Sequence, residues 1–255
     1  MNFKCTDHFL DTNILISSRI DWNVHFNNAT EYMNEKNIKR HTSKMTHGEA
    51  DKVFGHMRQN IRAFLVLYLG NQTRPTMMSI NDFVSRQITS FEKRCKRTPD
   101  YMYNKKVWRS IESYIRKNLT RIQDATAGGK SELIKLANEE DKYIQSAIDS
   151  LIFDCKDDSS AKINEHYNCP TDYLNYNGYC ALYNALYDRN DKNKISNSDD
   201  VHILLDSFFI MNKIKNELHF VTFDKNDIID HRSLIEKTLN GIYVIEPDYP
   251  KVIKV

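Results

Sequence analysis

Two aspartates from opposite ends of a 255-residue chain each close a short apolar run. Phe9 and Leu10 lead to Asp11, followed at once by Thr12 and Asn13, and Phe220, Val221, Thr222 and Phe223 lead to Asp224. The carboxyl ends of strands in an open parallel sheet form its ligand crevice, so acids delivered there from distant parts of the chain can meet. Glu49 and Asp200 stand in the first turns of predicted helices. Each acid alone has a plain structural reading: Asp11 caps the helix after it, Asp199 and Asp200 complement a helix dipole, and Glu49 is solvated. The helix after Ser198 separates the readings. At about 100° per residue, Val201, Leu204, Leu205, Phe208 and Met211 form its core side, and His202, Asp206 and Lys213 a narrow polar stripe. Asp200 falls on the flank of Leu204, Ser207 and Met211 and faces inward, where a carboxylate needs a partner. Asp199 and Asp206 fall on the polar stripe and are expected to be solvated. Carboxylates that converge without a Lys or Arg repel one another, and an oxygen-preferring divalent cation, Mg2+ or Mn2+, relieves the repulsion. Two such ions about 4 Å apart can activate water and stabilise the leaving oxygen of a phosphodiester.

The elements that must hold these acids are readable at both ends of the chain. Residues 8–16 read as a buried strand running into a short helix, 24–36 as a helix, and 38–41 as a second strand. The next helix is capped by Thr42 or Ser43, with Glu49 in its early turns and Val53, Met57, Ile61 and Phe64 or Leu65 as its apolar stripe. At the other end come a helix from 199 to about 215 capped by Ser198, a strand at 219–222, a helix at 226–239 and a strand at 241–245. The pattern predicts an α/β fold: a three-layer α/β/α sandwich with a central, mostly parallel sheet. Between Ile80 and Tyr187 helices predominate and no strand alternation is visible; breaks fall at Thr98 and Pro99, Gly128 and Gly129, Asp157 to Ser160, and Cys169 and Pro170. The expected organisation is one domain from 1–70 and 190–255, interrupted by a mostly helical insertion at 71–189.

The Asp11–Thr12–Asn13 opening, Glu49 in the helix beginning near Ser43, the Asp200–Val201–His202–Ile203–Leu204 helix start and Thr222–Phe223–Asp224 together resemble the motifs of PIN-domain nucleases. The resemblance covers about residues 1–65 and 190–255. It implies a metal-dependent endoribonuclease in which Asp11, Glu49, Asp200 and Asp224 are catalytic and hold one or two Mg2+ or Mn2+ ions. Asp227 is an auxiliary acid just after the last motif, and Asp199 stands beside Asp200 as the alternative ligand. Thr12, Asn13 and Thr222 would orient the carboxylates or the water. By this resemblance activated water attacks phosphorus in line, leaving a 5′-phosphate and a 3′-hydroxyl. The long insertion departs from small members of the family, which leaves the substrate and biological role open, along with homo-oligomer formation and, in a toxin-like setting, an inhibitory partner protein. Two other functions compete: an inactive PIN-like RNA-binding or scaffold module, and a structure-specific DNA nuclease. An aspartyl-phosphate enzyme is disfavoured, because that chemistry requires an aspartate where Asn13 stands.

Composition narrows the setting. Forty per cent hydrophobic and 27% charged residues match an ordinary globular protein, and no apolar run reaches the roughly 20 residues of a membrane span. A cytoplasmic protein with no membrane partner is the expectation. The five cysteines are scattered, and His166, Cys169 and Cys180 make the one near-cluster, for which free thiols are the commoner outcome. Net charge is only +2, yet from Arg86 to Arg121 eleven basic residues face three acidic ones. Arg94, Lys96, Arg97, Lys105, Lys106, Arg109, Arg116 and Lys117 are the candidates for phosphate contact with an RNA substrate. Phe91, Tyr101, Tyr103, Trp108 and Tyr114 are interleaved with them, either as exposed stacking faces or as the inner side of a helical hairpin. The Gly128–Gly129–Lys130–Ser131 run lacks the preceding strand of a phosphate loop and reads as a connection between helices.

Overall fold

The structure, a computed structural model, describes residues 5–98, 105–154, 165–167 and 178–247, with the backbone alone at 152–154 and 165–167. The chain divides into two compact units. The sheet unit comprises Met1–Asp21, His25–Asp51 and Ser150–Val255, and the helical unit Trp22–Val24 and Lys52–Asp149. These limits differ from those drawn on sequence at 71 and 189. Two of the boundaries fall inside long helices, Lys44–Arg62 and Lys130–Asp154, where no turn residue or polar linker marks them, and Trp22–Val24 lie in the turn before the helix at Phe26–Met33.

The sheet unit is α/β with an all-parallel sheet. Its strands are β1 (Asp7–Leu10), β2 (Lys39–Ser43), β3 (Glu165–Tyr167), β4 (Leu218–Val221) and β5 (Ile242–Ile245), in the order β3-β2-β1-β4-β5. Every residue of β1 and β4 is buried, as expected of central parallel strands covered on both faces. Alternation then assigns their faces. Phe9 and Phe220 are register partners and stack with ring centres 5.6 Å apart, in the core that also takes Val201, Leu204 and Leu205. His8 and His219, one residue earlier, pair on the opposite face at 3.0 Å, where His8 also meets the hydroxyl of Tyr32 at 2.9 Å. β3 has only three residues, too few to display a period of two in the sequence.

Helices α1 (Thr12–Ser17) and α2 (Phe26–Met33) connect β1 to β2, moving outward in one direction, and α10 (Arg232–Thr238) connects β4 to β5, moving in the other. Right-handed crossovers place the two sets of helices on opposite faces of the sheet. The order therefore reverses between β1 and β4, and the crevice of such a sheet opens at the carboxyl ends of those two strands. Helix α8 (Tyr179–Leu186) packs on α9 (Ser198–Ile214), which lies against β2, β4 and β5. Asn197, rather than Ser198, caps α9, its side chain accepting from the Asp199 N–H at 3.1 Å. The expected helix at 226–239 is split into a π-helical turn at Lys225–Ile229 and α10, because Asp224 caps that turn through the Asp227 N–H.

In the helical unit, α3 (Lys44–Arg62) runs on into a π-helical turn at Ala63–Tyr68, and α4 (Ile80–Arg97), α5 (Lys105–Lys117), α6 (Leu119–Ala127) and α7 (Lys130–Asp154) follow. Ser79 caps α4, accepting from the Asp82 N–H at 3.1 Å. An aromatic core holds the unit: Phe64 and Tyr68 each meet Phe91 at about 5 Å, and Trp22 meets Tyr114 at 5.1 Å, edge to face. Gly129, with φ +86°, makes the turn from α6 into α7; since a helix and not a strand precedes it, the run is a connection. Among the described residues no helix is long and apolar enough to cross a membrane.

Candidate metal centre

Asp11 sits immediately beyond β1 and is 6% exposed. Its backbone N–H donates to the Val221 carbonyl at 3.0 Å, which ties the ends of β1 and β4 together. The carboxylate accepts three hydrogen bonds: from the Thr12 N–H at 2.7 Å, from the Asn13 amide at 2.7 Å and from the Thr222 hydroxyl at 2.6 Å. Burial nevertheless pushes its pKa up to about 7, with the Thr222 bond opposing and the charges of Glu49 and Asp224 adding to the rise. The structural reading of Asp11 as a cap is thus true as far as it goes, but the cap does not neutralise it.

The residues expected to orient the acids bridge one acid to another. Thr12 donates its hydroxyl to Glu49 at 2.6 Å, which joins α1 to α3; Ser43 caps α3 by accepting from the Thr46 N–H at 3.3 Å and so fixes the phase on which Glu49 sits. Asn13 donates to Asp11 and to the Thr222 hydroxyl, and its carbonyl accepts from the Phe223 N–H at 2.9 Å. The Thr222 hydroxyl in turn accepts from the Asp224 N–H at 2.8 Å. A continuous polar network therefore runs from β1 to the end of β4, and positions its acids with no lysine or arginine among these bonds.

Asp200, in the first turn of α9, is half-buried, and one of its carboxylate oxygens, Oδ2, is buried without a hydrogen-bond partner. Burial, then the charges of Asp11, Asp224 and Glu49, push its pKa up to about 8. Carboxylate oxygens of Asp200, Asp224 and Asp227 lie within 4.8 Å of one another. Asp227 is held in place by Ser196, whose N–H and hydroxyl donate to it at 3.2 and 2.9 Å. Asp199 is exposed and stands outside this group. Three acids brought together, with a fourth and fifth close enough to raise proton affinity, suit a hard cation bound through oxygen.

Packing corrects one expectation on α9 and decides between the two readings of the aromatics in the basic segment. Asp206, expected on a solvated stripe, is fully buried, since α8 covers that side of α9 and Tyr179 feels its charge. Phe91, Trp108 and Tyr114 are buried, because they supply the core of the helical unit and offer no stacking face; Tyr101 and Tyr103 lie outside the described residues. The basic side chains Arg94, Lys96, Arg97, Lys105, Lys106, Arg109, Arg116 and Lys117 are all exposed. Lys96 and Arg116 pair with Glu92 and Glu112 one turn away, and the Arg94 guanidinium lies 5.8 Å over the Tyr68 ring. The His166 side chain and Cys169 lie outside the described residues, and Cys180 is an exposed free thiol.

Ser196 and Asn197 were not singled out by the sequence reading. Their signal was the cap of α9: an Asx residue before the helix start also brings the residue preceding it beside Asp227. Comparison of the chain with protein-family models, with curated proteins and with solved structures gives no match.

Proposed function

We propose that the chain is a metal-dependent endoribonuclease of PIN-like type. Asp200, Asp224 and Asp227 hold Mg2+ or Mn2+, and Asp11 and Glu49 complete the anionic surround. One observation carries this reading: the buried Asp200 oxygen that no donor meets, in a setting where the nearest charges are also negative. Burying a carboxylate oxygen without a partner is costly, and a cation removes that cost. A divalent ion bound there supplies charge neutralisation, polarisation of a phosphodiester oxygen and a more acidic water.

The chain's own groups account for the rest of the function. Three donors fix Asp11 before any ligand arrives, Thr12 ties Glu49 to the same strand end, and Thr222 couples Asp11 to the backbone of Asp224. Such preorganisation keeps like charges together without rearrangement when substrate binds. The exposed arginines and lysines of α4 and α5 neutralise phosphates along a strand. The product chemistry is a 5′-phosphate and a 3′-hydroxyl.

The test is cleavage of single-stranded RNA by the purified chain with Mg2+ or Mn2+, repeated with Asp11→Asn and Asp200→Asn variants whose melting shows them folded. Metal-dependent cutting that both variants lose is the expected result. RNA binding without cutting by the wild type points instead to a scaffold module. Preferential cutting of flapped or duplex DNA points to a structure-specific DNA nuclease.

A further inference from the structure

Arg58 and Arg62 stand one turn apart on α3, and both reach across to α7. Arg58 donates through Nη1 to the Gln145 side-chain oxygen at 3.0 Å, and its Nε lies 3.6 Å from an Asp141 oxygen. Arg62 donates through Nη1 to the Asn138 side-chain oxygen at 2.9 Å and to Asp141 at 3.4 Å. The acceptors Asn138, Asp141 and Gln145 follow one another at spacings of three and four and so share one face of α7. Only Asp141 carries a charge. Two guanidiniums are thus held in place, largely by neutral amide oxygens, with one positive charge left over among these five side chains.

A strap between two helices needs no such surplus. Lys96 and Arg116, by contrast, are matched one for one by Glu92 and Glu112 on their own helices. Among the described residues Arg62 bonds through Nη1 alone, which leaves its Nε–H and Nη2–H edge, the side-by-side pair of donors that matches two oxygens of a phosphate. Both arginines, with Gly55, Gln59 and Asp141, line one groove of about 250 Å³. Gly55 shares their face of α3, and a Cβ placed on it would meet nothing within 4 Å. A glycine weakens a helix interior, and no neighbour crowds this one; its missing side chain leaves room in the groove.

We propose that Arg58 and Arg62 form a phosphate-binding site in the helical unit, built from none of the residues of the acidic centre. It takes a phosphate monoester or diester, as a free phosphorylated molecule or as one unit of an RNA backbone. Arg62 is the bidentate donor, Arg58 the second cation, and Asp141 the anchor that orients both. The site goes beyond the nuclease reading and does not depend on it.

The experiment uses the full chain in EDTA, so that no divalent metal intervenes. Calorimetry reads inorganic phosphate and AMP, and anisotropy reads a short labelled single-stranded RNA at several salt concentrations. Arg62→Gln is expected to weaken whichever of these binds by about tenfold, and for RNA to lower the salt slope by about one. Arg62→Lys keeps the charge and loses the fork, and is expected to restore the slope but not the affinity. Arg232→Gln, the same loss of charge on α10, is expected to leave binding within about twofold of wild type. A fall for phosphate and AMP assigns the site to a free phosphorylated ligand, and a fall for RNA alone assigns it to a strand's backbone. No binding of any of the three by the wild type, equal binding by Arg62→Gln, or a loss that Arg232→Gln matches or Arg62→Lys fully restores, overturns the site. If the arginine variants do not fold, Gly55→Leu, which fills the groove and leaves both arginines in place, decides: weaker binding supports the proposal and unchanged binding overturns it. The same RNA incubated with Mg2+ or Mn2+ separates the two readings. Arg62-dependent binding without cutting in either metal sinks the nuclease and leaves this site standing; cutting with no dependence of binding on Arg62 does the reverse.

Discussion

Asp7 opens the four-residue strand β1 and Asp11 follows its last residue, both 6% exposed, yet their surroundings drive them in opposite directions. Burial raises the proton affinity of each. At Asp7 the bonds to His41 at 2.8 Å and Asn216 at 2.6 Å outweigh burial and leave the carboxyl below the ordinary carboxylate range. At Asp11 burial outweighs the three donors, Glu49 and Asp224 add negative charge from neighbouring elements, and the pKa rises to about 7. Similar exposure with opposite outcome shows that partners, together with depth, distinguish an acid that holds the fold from one that the fold burdens. Strain of the second kind is expected where a ligand is to be received.

The comparison breaks most visibly in activity. Asp200→Asn is expected to lower metal-dependent RNA cleavage by about a thousandfold or more, on the scale of about 4 kcal/mol of barrier. Asp7→Asn, at the other end of the sheet, is expected to leave kcat within about threefold, measured on the same RNA. A large loss in Asp7→Asn would erase the distinction between the two ends.

Stability should respond in the reverse sense. Without metal at pH 8, Asp200→Asn is expected to raise stability by about 2 kcal/mol, since it removes a carboxyl whose ionised form the folded chain accommodates poorly. Asp7→Asn is expected to lower it by about 1.5–3 kcal/mol, the range for losing a hydrogen bond to a charged group. Denaturant melts of the three proteins read both signs.

The pH dependence is smaller and sharpens the same contrast. Asp11 and Asp200 have folded values of about 7 and about 8 against an ordinary 3.8, so between those values the folded chain holds more protons than the unfolded one. Their contribution to metal-free stability is therefore full below about pH 4, falls as pH rises towards 8, and is flat above. Asp7, with its value lowered, contributes fully above the ordinary carboxylate range and loses that contribution as pH falls through it. Melting temperature against pH should slope downward from about pH 5 to 8 in the wild type and less so in Asp200→Asn.

Much of this was legible in the residues. Helical phase placed Asp200, not Asp199, on the inward flank, and the apolar runs before Asp11 and Asp224 marked strand ends. What escaped depended on partners from elsewhere in the chain. Asp206 is buried by α8, an element whose docking leaves no trace in the phase of α9. The turn at Lys225–Ile229 interrupts an otherwise helical pattern because an acid within the site caps it. The aromatics of α4 and α5 obeyed core spacing, with Trp108, Ile111 and Ile115 all buried, while the interleaved charges suggested an exposed platform. The pairing of Phe223 with His25 joins residues 198 positions apart, which periodicity cannot see.

The most direct measurement is a titration of the metal-free protein with Mn2+, followed by electron paramagnetic resonance or calorimetry, on the wild type, Asp200→Asn and Asp7→Asn. The account predicts saturable binding by the wild type, the same binding by Asp7→Asn, and its loss in Asp200→Asn. Absence of binding by the wild type, or equal binding by Asp200→Asn, would contradict it.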